Sequence, residues 1–306
     1  MEENHALSIN MAHRSAIRSM QRIVEQTAPP SDPAEAAAGV QRMLDQGNVM
    51  VVTGAGVSTD SGIPDYRGPN GSLQRHRPMT YQEFRYRPDA RQRYWARSYI
   101  GWRHMFKAQP NQIHRRLVRW EQEGRISGIV TQNVDGLHQE AGSHNVVPVH
   151  GDLSVVICLD CGYREDREHL DARLQKANPG YAQKVDLEPS AVNPDGDVQL
   201  PEYLVKEFVM VPCLRCGSMA LKPDVVYFGE SVPAARKQAI NDMEHRSSSL
   251  LVLGSSLAVM SGYRILLNFV QRQLPVALLT NGHVRGEQKA TWRWQAPLSD
   301  SLERLS

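Results

Sequence analysis

Asn48-Val49-Met50-Val51-Val52-Thr53-Gly54-Ala55-Gly56 is the stretch that decides the architecture. A continuous apolar run from Val49 to Val52, β-branched at three of its positions, suits a strand covered on both faces in a parallel sheet, where neither face meets water. Ahead of it, the alanine-rich segment Ala34 to Gln46 reads as a helix. Behind it, Gly54 and Gly56 predict a strand-to-helix turn whose backbone can approach a pyrophosphate at a helix N-terminus. The third glycine of the dehydrogenase fingerprint would fall at Thr59, and that departure argues against simple hydride transfer.

The same alternation continues outward. A helix around Ile113 to Glu123 feeds Ile126 to Thr131, one around Ala234 to His245 feeds Leu250 to Leu253, and one around Tyr263 to Gln273 feeds Val276 to Leu279. Alternating helix and apolar strand predicts an α/β fold, a doubly wound Rossmann-like parallel sheet. Between Val155 and Leu221 the chain turns polar, gains proline and glycine, and holds all four cysteines, which reads as a small inserted module. The expected division is a flexible N-terminal extension over 1–36, a main domain over 37–154 and 221–306 with a helical and cofactor-loop insertion at about 68–110, and a small domain over 155–220.

With 306 residues, 41% hydrophobic and 22% charged, the chain has the composition of a folded enzyme and not of a disordered protein. Its net charge of +2 supplies no global field for nucleic acid or an anionic membrane. The basic run from Arg75 to Arg125, opposed only by Glu83, Asp89, Glu121 and Glu123, reads as solvated helix faces or as a basic wall beside an anion. The opening Met1-Glu2-Glu3 lacks the pattern of a secretory signal, and the apolar stretch Leu250 to Val270 is too interrupted for a membrane span, so an intracellular protein off the membrane is expected. Arg14, Arg18 and Arg22 resemble a mitochondrial presequence only faintly.

Cys158-Leu159-Asp160-Cys161 and Cys213-Leu214-Arg215-Cys216 form two CxxC knuckles, each followed by a glycine, Gly162 and Gly217, that permits a tight turn. Four thiolates in this pattern fill a tetrahedral zinc site and leave no position for water, so the metal is read as structural. Disulfide pairing is the alternative, disfavoured inside a reducing cell.

The full loop Thr53-Gly54-Ala55-Gly56-Val57-Ser58-Thr59-Asp60-Ser61-Gly62-Ile63-Pro64-Asp65-Tyr66-Arg67-Gly68 is more specific than its glycines. With Thr131-Gln132-Asn133-Val134-Asp135-Gly136, His150-Gly151, Lys222-Pro223-Asp224-Val225-Val226-Tyr227-Phe228-Gly229-Glu230, Gly254-Ser255-Ser256-Leu257-Ala258-Val259 and Thr280-Asn281-Gly282, it resembles the sirtuin family from about Val40 onward. Asn193-Pro194-Asp195-Gly196-Asp197-Val198 and Tyr94-Trp95-Ala96-Arg97 are most similar to its class II, lipoamidase-type branch.

That resemblance implies NAD as a co-substrate, one structural zinc ion and acyl-lysine protein substrates. It places Gly54, Ala55, Gly56, Ser58, Asp65, Tyr66, Arg67, Gln132, Asn133, Asp135, Gly254, Ser255, Ser256, Asn281 and Gly282 at NAD. Asn133 and Asp135 would position the nicotinamide ribose, although Asn-Val-Asp-Gly alone could be a turn. His150 would be the base, since neutral imidazole accepts a proton near physiological pH. A substrate strand would lie between Val225, Phe228, Gly229 and Glu230 on one side and Leu257 and Val259 on the other, unless both stretches simply finish buried strands. Tyr94 and Arg97 have the YxxR spacing that grips acidic acyl groups, but the intervening loop differs in length, and a core-facing Tyr94 with an exposed Arg97 is the favoured reading. The acyl-lysine oxygen would attack the ribose carbon as nicotinamide departs, and His150 would deprotonate a ribose hydroxyl. The rival readings are a protein mono-ADP-ribosyltransferase at the same site and a non-catalytic NAD sensor. A bacterial cytoplasm is the expected compartment, or the mitochondrial matrix in a eukaryote. A monomer is compatible with all of this.

Overall fold

The computed structural model describes residues 2–20, 24–66, 79–186 and 192–305. In chain order the first half holds α1 (Glu2–Met20), α2 (Pro33–Gln46), β1 (Val49–Thr53), α3 (Tyr81–Tyr86), α4 (Pro88–Met105), α5 (Gln112–Gln122), β2 (Ile126–Thr131), α6 (Leu137–Glu140) and β3 (Val146–Pro148). There follow β4 (Gly151–Cys158), β5 (Arg164–Asp166), α7 (Arg167–Ala177), α8 (Glu202–Glu207), β6 (Leu221–Val225), α9 (Ala234–Arg246), β7 (Ser249–Leu253), α10 (Met260–Gln271), β8 (Val276–Leu279), β9 (Trp292–Trp294) and α11 (Leu298–Glu303).

Six strands make one parallel sheet in the order β3-β2-β1-β7-β8-β9. Successive side chains of a strand point to opposite faces. Val49 and Val51 of β1 therefore join α2 and α5 in one core layer, while Met50 and Val52 join α9 and α10 in the other. α2 starts cleanly because Asp32 accepts hydrogen bonds from Ala34 and Glu35 with Pro33 at its first turn, and it ends at Gly47 with φ +76°. From β1 the chain winds outward to β2 and β3, then resumes at β7 on the other side of β1. The winding reverses between β1 and β7, and such a reversal opens a ligand crevice at the carboxyl ends of the strands. β9 is a strand that the sequence reading did not expect.

The second sheet is antiparallel, in the order β5-β4-β6. It begins at Gly151 and runs to Val225, so it reaches past the expected 155–220 module on both sides. α3 and α4 pack here as well: Phe84, Trp95 and Tyr99 share a core with Val156, Leu170, Leu204 and Phe208. Trp95 Nε1 donates to Leu221 O at 2.8 Å. Buried Arg167 lies over the rings of Trp95 and Trp102 and donates to the Ser98 hydroxyl and carbonyl. The part of the 68–110 insertion that is described thus belongs by packing to the small domain and not to the large sheet.

The first 36 residues differ from the flexible extension expected. α1 buries Ala12, His13 and Ala16, and His13 Nε2 meets Glu83 Oε2 of α3 at 2.8 Å. Downstream, Thr27 N donates to Glu287 Oε1 at 2.7 Å and Ser31 N to Arg293 O at 2.8 Å. Polar composition concealed this because the anchoring partners are themselves charged.

Part of the basic run is neutralised. Arg85 pairs with Asp160, Arg93 with Glu83, Arg97 with Asp197, Arg103 with Asp171 and Arg125 with Asp45 and Glu123. Most of these carboxylates are distant in sequence, while Lys107, Arg115 and Arg119 lie exposed, so the described part of the run is partly paired and partly solvated helix face. Among the described residues no helix is long and apolar enough to cross a membrane.

Candidate active site and metal centre

Two loops meet where the sheet reverses. Gly54 N donates to Leu253 O at 3.1 Å and Gly56 N to Gly254 O at 3.0 Å. A Cβ on Gly54 would stand 2.7 Å from Ser255 Cβ, and one on Gly56 would stand 2.9 Å from Gly254 Cα. Gly254 holds φ +58° and faces Gly56 and Val57 equally closely. These glycines are therefore required first by the contact of one loop with the other, and not only by an approaching phosphate. The N–H groups of Ala55 and Ser255, beside the crevice, meet no acceptor among the described residues. Together with the Ser256 hydroxyl and the amide of Asn281, that donor set fits an anionic dinucleotide, while the Ser255 hydroxyl is spent on Gln132 Oε1.

The carboxyl end of β2 supplies a hydrogen-bonded chain. Asn133 Nδ2 donates to Gly54 O at 3.1 Å and to Ser58 Oγ at 3.0 Å, and Ser58 donates to Asp135 Oδ2 at 2.7 Å. Leu137 N donates to Asp135 Oδ1 at 3.0 Å, so Asp135 also shapes the turn that starts α6. Burial pushes the Asp135 carboxyl above its ordinary range, against these hydrogen bonds.

His150 follows β3. Its Nδ1 lies 3.0 Å from Gln132 O and its Nε2 lies 2.7 Å from Ser261 Oγ. A carbonyl oxygen only accepts, so in the neutral ring Nδ1 carries the proton and Nε2 is left as the acceptor. Burial lowers the imidazole below its usual range, and the charge of Arg236 adds to this against the hydrogen bond to Gln132. The chemical result is a neutral base whose Nε2 accepts from the Ser261 hydroxyl.

One cavity of about 1820 Å³ joins these groups. Its wall carries Gly54, Ala55, Gly56, Ser58, Asp65, Tyr66, Gln132, Asn133, Asp135 and His150, together with Gly254, Ser255, Ser256, Asn281 and Gly282. Val225, Phe228, Gly229, Glu230, Leu257, Val259, Tyr94 and Arg97 line it too. Arg67 lies outside the described residues.

Details of the second group alter its reading. Glu230 is held by Lys222 at 3.0 Å and by Tyr227 N, while the Phe228 segment already pairs with Thr80. Tyr94 is buried in an aromatic cluster with Phe84, Trp95 and Tyr227. Arg97 meets Asp197 at 3.4 Å, and Asp195 stands close enough to act on its charge. Desolvation raises Asp197 to about 7 despite Arg97, with Asp195 adding to the rise. Leu257 adopts φ +49°, rare for a branched side chain, at the turn that follows Gly254.

The four cysteines converge in the small domain. Their sulfurs all lie within 4.8 Å of one another, with Cys158 to Cys216 at 3.6 Å and Cys161 to Cys213 at 3.7 Å. A zinc–sulfur bond of about 2.3 Å gives a tetrahedron with edges of about 3.8 Å, so the spacing fits zinc, whereas a disulfide needs about 2.05 Å. Gly162 and Gly217 turn at φ +71° and +74° and donate back to Cys158 O and Cys213 O. Arg215 N points at Cys213 Sγ from 3.4 Å. The quartet of thiolates binds a structural zinc ion and, with no open ligand position, does no chemistry itself.

Sequence reasoning missed Ser261, Asp195, Asp197 and a buried histidine pair as parts of the site. His138 contacts Thr53 Oγ1 at 2.9 Å, and its ring stands 4.8 Å from that of His114. Burial depresses them to about 3 and about 4 respectively, so both are neutral props beneath the cofactor loop. Asp195 and Asp197 lie in a motif the sequence offered only for its branch likeness, and no local pattern announces Ser261 or the histidine pair.

Comparison with known proteins adds the following. The Sir2 family pattern matches residues 54–261. A protein of Corynebacterium efficiens called NAD-dependent protein deacetylase 1 is 55% identical over 267 residues, covering 87% of this chain and 95% of that one. The human protein called NAD-dependent protein lipoamidase sirtuin-4, mitochondrial, is 41% identical over 267 residues, covering 86% of this chain and 83% of that one. Among solved structures, a Sir2 protein with a deacetylated p53 peptide and 3'-O-acetyl ADP ribose superposes with TM-score 0.69 at 27% identity, covering 87% of this chain and 96% of that one.

Proposed function

The chain belongs to the Sir2 family and is an NAD-dependent protein deacylase, and from that premise we propose that it frees lysine side chains by moving their acyl group to ADP-ribose, with release of nicotinamide. The observation that carries this reading is the neutral His150, which lines the same cavity as the interlocked glycine loops and Asn133. When bound, NAD supplies an electrophilic ribose carbon and a good leaving group. Ala55, Gly56, Gly254, Ser255, Ser256, Asn281 and Gly282 would hold its phosphates and adenosine ribose. Asp65, Tyr66 and Gln132 border the same space. Asn133 and Asp135, fixed through Ser58, would orient the second ribose. His150 Nε2 would take the proton of a ribose hydroxyl so that its oxygen can attack the acyl carbon.

Acylated protein segments would enter beside Val225, Phe228, Gly229 and Glu230 opposite Leu257 and Val259, with the acyl group directed toward Tyr94 and Arg97. The bacterial relative favours a bacterial cytoplasm. The test is mass spectrometry of an acyl-lysine peptide incubated with enzyme and NAD, with the His150→Ala variant alongside. Loss of the acyl mass with formation of acyl-ADP-ribose is expected, falling at least about 100-fold in His150→Ala while NAD still binds. A peptide that gains ADP-ribose and keeps its acyl group would replace this reading with ADP-ribosyl transfer.

A further inference from the structure

We propose that Ser261 is a positioning residue for His150, its hydroxyl holding the imidazole in the neutral tautomer whose Nε2 lone pair serves the cavity. The proposal rests on the reading of His150 as the base. Ser261 lies in the first turn of α10, a helix with no side-chain cap, and its hydroxyl meets Nε2 at 2.7 Å. The neighbouring residue shows how tightly that turn is pressed on the β2 end. A Cβ on Gly262 would stand 2.5 Å from Gln132 Nε2 and 3.1 Å from Leu257 Cδ2. Gln132 in turn supplies the carbonyl that meets His150 Nδ1. Both ring nitrogens are thus held by one assembly, which accepts at Nδ1 and donates at Nε2.

That arrangement discriminates between protonation states. An imidazolium carries a hydrogen on Nε2, so Ser261 could no longer donate there and would have to reverse its hydroxyl. In the orientation that donates to Nε2, Ser261 stabilises the form that can act as a base. The charges around His150 are Arg236 of α9, paired with Asp224 at 2.8 Å, the pair of Lys222 in β6 with Glu230 beyond it, and Asp135 on the shared cavity wall. Arg236 disfavours the imidazolium as Ser261 does, so the two contributions are separated by changing Ser261 alone. When a sugar hydroxyl arrives, Ser261 keeps its own proton and turns to another rotamer. The incoming O–H replaces it at Nε2; as that O–H bond breaks, the N–H bond forms and the electron pair stays on oxygen.

The experiment compares the full-length enzyme with Ser261→Ala and Ser261→Thr. A nitrogen-15 NMR titration of His150 reads its pKa and tautomer without turnover, and a kcat/KM profile from pH 5.5 to 9 reads the consequence. In Ser261→Ala the imidazole pKa is expected to rise and the acid limb to move with it, so that activity near pH 6 falls about 3- to 10-fold while the alkaline plateau stays within about twofold. Ser261→Thr, which keeps the hydroxyl, restores both. An unmoved titration in folded Ser261→Ala, or an equal loss at every pH, overturns the proposal even where deacylation proceeds. A shifted titration in a protein that transfers no acyl group supports the positioning role and removes the deacylase reading instead.

Discussion

At the cofactor end of the cavity, Asn133, Ser58 and Asp135 are joined by neutral or singly charged hydrogen bonds, on loops locked by glycine backbone. At the end proposed for the acyl group, Arg97 faces Asp197 and Asp195, and Arg93 pairs with Glu83 at 2.7 Å, which also holds His13. The first end is set by geometry that tolerates no added atom. The second is set by charge balance, which a single substitution can tilt without moving the backbone.

The sharpest way to break the contrast is Gly56→Ala. Its methyl group would meet Gly254 backbone at 2.9 Å, so one loop must retreat. NAD affinity by calorimetry is expected to fall about 100-fold or more, whereas an acylated peptide should still bind its own end. If Gly56→Ala binds NAD normally, the interlock is not what shapes the crevice.

A smaller effect is expected from Asp197→Asn at the other end. Freed of its partner, Arg97 should raise turnover of succinyl- or glutaryl-lysine relative to acetyl-lysine by about 3- to 10-fold, with KM carrying most of the change. An unchanged ratio would show that Arg97 does not reach the acyl group.

Acid distinguishes the ends with opposite signs. His114 and His138 titrate near 4 and 3 in the fold but at about 6.5 when unfolded, so the unfolded chain binds more protons between these values. Their contribution is present above pH 6.5 and is lost as pH falls toward 4. Asp197, raised to about 7 by desolvation, binds its proton more readily in the fold, so its contribution grows as pH falls from 7 toward its unfolded value of 3.8. Hydrogen exchange at pH 7 and pH 5 should therefore show faster opening around Thr53 and α6 and slower opening of residues 193–197. Melting temperature over that interval should change by only a few degrees, since the terms oppose. Parallel behaviour of the two segments would contradict the assignment.

How far the sequence could be read follows the same line. The buried strands were legible because Val49 to Val52 or Leu250 to Leu253 are contiguous, and so was the cysteine quartet, whose spacing is local. Gly54, Gly56, Asn133, Gly254, Ser255 and Asn281 each follow the carboxyl end of such a strand closely. β9 escaped because Trp292-Arg293-Trp294 is short and carries an arginine, which is buried only because Glu287 meets it at 2.6 Å. Arg97 and Asp197 are a hundred positions apart, and α1 finds its buried partner at Glu83 seventy residues on. Ser261 was one hydroxyl among several between Ser255 and Ser261 until the fold set it against His150.

Gly54, Gly56 and Gly254 belong to segments two hundred residues apart, yet neither loop leaves the other room for a methyl group. Anyone transplanting this cofactor turn into a different parallel sheet, or retuning it toward a nucleotide analogue, would have to carry both loops together. Libraries that randomise one of them at a time would return mostly misassembled crevices, and productive variants should surface as matched double changes.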